Sequence, residues 1–158
     1  MQHFFHYPNP ENKTTIMHIT NNYPLIGMSI KDIISLKQSM TKTKIYCLIA
    51  NDTLVDRFLS NFYILEGTEF KFGINCAGSC DTIIRSDYIC TVYWPKNLMK
   101  KWSSLNKKTK YLKDFNLSDW FNLIHTKWGK IYININKNPD LADKIRRETI
   151  IHFKGSKK

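Results

Sequence analysis

Lys130-Ile131-Tyr132-Ile133-Asn134-Ile135-Asn136 alternates apolar and polar residues without a break. A period of two is the mark of a β-strand, because successive side chains point to opposite faces. Immediately after it, Asn138-Pro139-Asp140 is a turn and a helix cap, followed by Leu141, Ala142 and Ile145 at helical spacing. A strand that hands over to a helix within two residues places the chain in the α+β class.

Working outward, Lys44 to Ala50 is a short apolar run that predicts a buried strand. The aromatic run flanked by Gly67 and Gly73 predicts another over 69–73. Ile16 to Ile19 is a shorter strand candidate. Ser29 caps a predicted helix with Asp32 as its capping-box acid, running through Ile33, Leu36 and Met40. Asn51 or Asp52 caps a second, with Leu54, Val55, Phe58, Leu59, Phe62 and Leu65 on one face. Cys76, Cys80, Ile83, Ile84 and Tyr88 recur at three- and four-residue steps and predict a helix starting at the cysteine. The β-rich run Tyr88 to Trp94 competes with it. Ser118 is the candidate cap of a short helix through Ile124. The expectation is one domain over 1–158, a small mixed or antiparallel sheet with helices packed on one side. An irregular arm covers 1–15 and a frayed basic tail covers 154–158.

Charge is placed unevenly. Residues 1–94 carry 8 Lys/Arg and 8 Asp/Glu, whereas residues 95–158 carry 16 and 5, so the net +11 lies entirely in the later part. Such a field favours an anionic polymer, nucleic acid or an acidic cell wall. No apolar run approaches the length of a membrane span, and no secretory signal is visible at the N-terminus, which predicts a cytoplasmic protein or one delivered without a cleaved signal. The four cysteines, Cys47, Cys76, Cys80 and Cys90, read as free thiols. Cys76 and Cys80 lack a second close pair to complete a zinc site, and neither a metal nor another cofactor is expected. His18-Ile19-Thr20 is a single H-x-T without the second copy that two-histidine phosphoesterases need.

Three functional readings follow. In the first, Cys76 is a thiol nucleophile, with small neighbours Ala77, Gly78 and Ser79 leaving room for a carbonyl. His125 is its base, and Asn134 or Asn136 orients the imidazole. In the second, the basic segment with interleaved aromatics binds nucleic acid. Lys100, Lys101, Lys107, Lys108 and Lys110 contact phosphates, and Trp102 is available for base stacking, with Trp94, Tyr111, Trp120 and Trp128 as further aromatics. A metal-dependent nuclease variant of this uses Asp56, Glu69 and Lys71 as a D…E-x-K set. The third is a basic interaction protein with no chemistry.

Gly67-Thr68-Glu69-Phe70-Lys71-Phe72-Gly73 followed by Asn75-Cys76-Ala77-Gly78 resembles the nucleophile region of the NlpC-type papain-like cysteine peptidases and amidases. His125, followed by Gly129-Lys130-Ile131-Tyr132, resembles that family's histidine and its Gly-Ile-Tyr strand. Glu69 stands where the family has Pro, Asn75 where it has Asp, and Thr126-Lys127-Trp128 intervene after the histidine. The resemblance covers 67–80 and 117–136. It implies a peptidase or amidase with Cys76 as nucleophile and His125 as base, of a kind often directed at bacterial cell walls, including phage enzymes.

Overall fold

The structure is a computed structural model. It describes residues 13–22, 31, 34, 38, 43–62 and 67–154. The predicted helix over 29–40 therefore lies largely outside the described residues, with only Lys31, Ile34 and Gln38 seen in helical conformation. So do most of the arm and residues 155–158 of the tail.

Among the described residues six strands form one mixed sheet: β1 Thr15–Ile19, β2 Ile45–Ile49, β3 Thr68–Phe72, β4 Asp81–Arg85, β5 Tyr88–Tyr93 and β6 Tyr132–Lys137. Their spatial order is β3-β2-β1-β4-β5-β6. The first three run parallel, and β4, β5 and β6 continue as an antiparallel meander. Four helices lie wholly among the described residues: α1 Leu54–Phe62, α2 Lys96–Lys108, α3 Leu117–His125 and α4 Pro139–Ile151. The α+β expectation holds, as do the strands near 44–50, 69–73 and 130–136.

The helix expected from Cys76 is replaced by the β4–β5 hairpin. Residues 74–80 are irregular, and Asp81 opens a strand. The apparent helical spacing of Ile83, Ile84 and Tyr88 loses to long-range pairing, in which Ile83 faces Met17 and Ile84 faces Ile16 on β1. The two-residue turn Ser86-Asp87 closes the hairpin, with Ser86 in the left-handed region at φ 51.

Opposite faces of the sheet follow the pleat. Ile16, Ile84 and Ile89 face α4 and pack with Ala142, Ile145 and Ile150. Ile45, Ile83, Cys90 and Val92 form the core of the other face, and Trp94 joins it to the helical core. Asn138 caps α4 by accepting from the Leu141 N–H, as its sequence predicts. Arg146, on the inner face of α4, donates to the Thr14 carbonyl at 2.8 Å, to the Ser86 carbonyl and to Asp143. One guanidinium thus ties α4 to the start of β1 and to the hairpin turn.

α1, α2 and α3 have a core of their own: Val55, Leu59, Leu98, Trp102, Leu105, Trp120 and Leu123. Trp102 meets Trp120 edge to face at 5.0 Å, and Phe115 stacks on Trp120 at 5.3 Å. Burying each of these large side chains contributes about 1.5–3 kcal/mol before entropy is counted. β6 is different. All six of its residues are exposed, including Tyr132, Ile133 and Ile135, because the sheet ends there.

Candidate nucleic-acid interface

α2 carries the densest charge. Its sequence, Lys-Asn-Leu-Met-Lys-Lys-Trp-Ser-Ser-Leu-Asn-Lys-Lys, contains no carboxylate. Leu98, Trp102, Leu105 and Asn106 turn inward. At 3.6 residues per turn, Lys96, Lys100, Lys101, Lys107 and Lys108 then fall within an arc of about 140° on the opposite side. All five are exposed. Lys100 and Lys107, like Lys101 and Lys108, are separated by about 10 Å along the axis. Met99, Ser103 and Ser104 lie with Lys100, Lys107 and Lys108 along a shallow open groove of about 580 Å³. None of the described residues forms an ion pair with any of the five lysines; the ion pairs seen between described residues are Lys13–Asp87, Lys44–Glu69, Arg57–Asp52 and Arg146–Asp143.

The orientation of α2 is fixed from beneath by a buried polar network. The Asn22 N–H donates to Asp56 Oδ1 at 2.8 Å, and the Thr53 hydroxyl donates to Oδ2 at 2.6 Å. Asn106 Nδ2, from the inner face of α2, reaches Asn21 Oδ1 at 3.3 Å and Asp56 Oδ1 at 3.4 Å. Asn21 Nδ2 contacts Ser103 Oγ at 3.4 Å, and Asn22 Nδ2 donates to the Asp56 carbonyl and to Ser60 Oγ. Asn21, Asn22, Asp56 and Asn106 are buried. Desolvation pushes the Asp56 carboxyl above its ordinary value, against the hydrogen bonds that favour its charge. This network was not anticipated from the sequence.

Beyond α2 the chain stays basic through Lys110 and Lys113, both exposed. A short 3-10 turn, Leu112–Asp114, is pinned by Asp114, whose carboxylate accepts from the Tyr111 N–H at 3.1 Å. Tyr111 is 63 % exposed, and the Lys113 ammonium lies 5.4 Å from its ring centre. Trp102, expected to stack on bases, is instead a core residue at 6 % exposure. Its spacing with Leu98 and Leu105 puts it opposite the lysines. Trp120 is likewise buried, and Trp128 donates its Nε1–H to the Leu123 carbonyl.

Cys76 lies half-buried in the irregular loop before β4, its N–H bonded to the Ile74 carbonyl at 2.7 Å. It is not at a helix start. Burial, with the nearby Asp81 carboxylate, pushes its thiol up to about 11, the reverse of the depression a thiolate nucleophile needs. His125, expected on a core sheet edge, is the last residue of α3, exposed and stacked on Phe121 at 6.2 Å. Asn116, not Ser118, caps that helix. Asn136 is exposed on β6 opposite Ile89. Among the described residues no hydrogen bond or ring contact joins Cys76, His125 and Asn136. Cys47 and Cys90 are buried, and all four cysteines are free.

The D…E-x-K set is distributed differently from its expectation. Glu69 pairs with Lys44 at 2.8 Å, and Lys71 lies 5.9 Å from the Phe153 ring centre. Asp56 is committed to the network above. Among the described residues no group of three His, Cys, Asp or Glu side chains has the arrangement of a metal site. None of the helices there is long and apolar enough to cross a membrane.

No family model, curated protein or solved structure matches the chain.

Proposed function

We propose that the protein binds nucleic acid, without chemistry of its own, through the lysine face of α2. The observation that carries this is the set of five exposed lysines on one helix face with no carboxylate among the described residues to neutralise them. Uncompensated cations at this density draw a phosphate backbone and release its counterions on contact. The buried Asn21–Asp56–Asn106 network supports the reading, since it holds the opposite side of α2 and leaves the lysines outward. Amide hydrolysis by Cys76 and His125 is favoured less, because Cys76 has a raised rather than lowered pKa and no bonded base.

The test is fluorescence anisotropy with a labelled oligonucleotide over a salt series. Five phosphate contacts give a slope of log K against log salt of about −3.5 on a single strand and about −4.5 on a duplex. Lys100→Ala with Lys107→Ala lowers its magnitude by about 1.4 to 1.8. Absence of binding at low salt, or a slope unmoved by the double substitution, removes the proposal.

A further inference from the structure

Resting on that reading, we infer that the ligand is a single strand, and that one of its unstacked bases seats on the Arg57 guanidinium in the pocket between α1 and β3. Leu54, Arg57, Phe58, Asn61, Phe70, Phe72 and Leu112 line this pocket with Ser60, around a space of about 370 Å³.

Arg57 is built as a platform. Its Nε and Nη2 donate to the two carboxylate oxygens of Asp52 at 2.6 and 2.8 Å, a bidentate fork that fixes the plane. Its Cζ lies 4.7 Å from the Phe72 ring centre. The Arg57 side chain is nevertheless 60 % exposed. One side of the guanidinium is thus backed by an aromatic ring while the rest is open to solvent. Bases splayed from a single strand stack on such planes. Asn61 is exposed at the same pocket, and its amide offers both a donor and an acceptor to a base edge.

The pocket is linked along the chain to the lysine track. Leu112 lines it, its chain neighbour Tyr111 is an exposed ring on a pinned turn, and Lys107, Lys108 and Lys110 precede them. A strand whose phosphates follow α2 is therefore led to Tyr111 and then to Arg57. A duplex keeps its bases stacked inside and has nothing to offer either platform. Cationic track plus π-faces is how single strands are held without a sequence code.

The experiment compares a 12-nucleotide single strand carrying 2-aminopurine with the duplex of the same sequence, against the full chain and two surface variants. Arg57→Lys keeps the charge and removes the plane. Tyr111→Ala removes the second ring. The wild type is expected to bind the single strand more tightly than the duplex and to raise 2-aminopurine emission, as the base leaves its stacked neighbours for the guanidinium plane. Each variant should weaken single-strand binding about five- to hundredfold, with the salt slope unchanged. Equal binding of both forms, with neither variant having an effect and the Lys100/Lys107 salt dependence intact, overturns the base pocket and leaves the lysine reading standing. Binding to neither form overturns both.

Discussion

Asp56 is the residue on which the positioning of α2 turns. Replacing it with alanine removes the acceptor of the Asn22 N–H and of the Thr53 hydroxyl, and one of the two acceptors of Asn106 Nδ2. Thr53 is half-exposed and regains a partner from water, but Asn22 and Asn106 are 3 % and 1 % exposed. The Asn22 N–H is then a buried donor without an acceptor while Asn106 Nδ2 keeps Asn21 Oδ1, so Asp56→Ala is expected to destabilise by roughly 1–3 kcal/mol. That is a large part of the stability of an ordinary domain. Asp56→Asn keeps Oδ1 for Asn22 and Asn106, while its amide donates to the Thr53 hydroxyl, so it stays within about 1 kcal/mol of wild type at neutral pH.

The two forms differ in pH dependence. Because burial raises the folded-state pKa of Asp56, the folded chain holds that proton more tightly than the unfolded chain does. The stabilisation is fully present below the unfolded carboxyl value and is lost as pH rises through the raised folded value. Urea unfolding followed by tryptophan fluorescence across that window should show wild-type stability falling relative to Asp56→Asn, by at most about 1.4 kcal/mol per pH unit, and then levelling off. An Asp56→Ala loss under about 0.5 kcal/mol, or a wild-type advantage that grows with pH, would refute the reasoning.

Arg146→Ala should cost about 1–3 kcal/mol by chemical denaturation, since the Ser86 carbonyl loses its donor in a buried contact, and Arg146→Lys should restore little of it, because a single ammonium does not span Thr14, Ser86 and Asp143 as the fork does. In a Cys80→Ser background, alkylation of Cys76 by iodoacetamide should be slow at pH 7 and rise about tenfold per pH unit toward pH 11. A plateau near neutral pH would show an activated thiol and bring the hydrolase reading back.

The elements that read cleanly from the sequence are those whose signal is local. Lys130–Asn136 alternates, and Tyr132–Lys137 is a strand; Asn138-Pro139 carries its own cap and is a helix start. The stretch after Cys76 misled because its spacing is compatible with a helix, and the partner that decides, β1, lies more than sixty positions earlier. The lysines of α2 were legible as a charge run. The inward side of the same helix was legible too, since Leu98, Trp102 and Leu105 recur at steps of four and three, yet Trp102 was grouped with the charges around it. Asp56 has one local partner, Thr53 three positions before it, but Asn22 and Asn106, which bury it, come from 34 and 50 positions away. The Arg57–Phe72 platform joins a helix to an edge strand and has no sequence signature.

β6 also bears on how the molecules keep apart. An outermost strand ordinarily deters pairing with a bulge, a proline or a central charge. Between Tyr132 and Asn136 this one carries none of these, and it shows Tyr132, Ile133 and Ile135 to solvent. What holds two copies off each other is then the net +11 of the chain. Salt weakens that repulsion by screening it. On the proposed reading, bound nucleic acid would act at β6 as raised ionic strength does, since both cancel the positive charge of the chain.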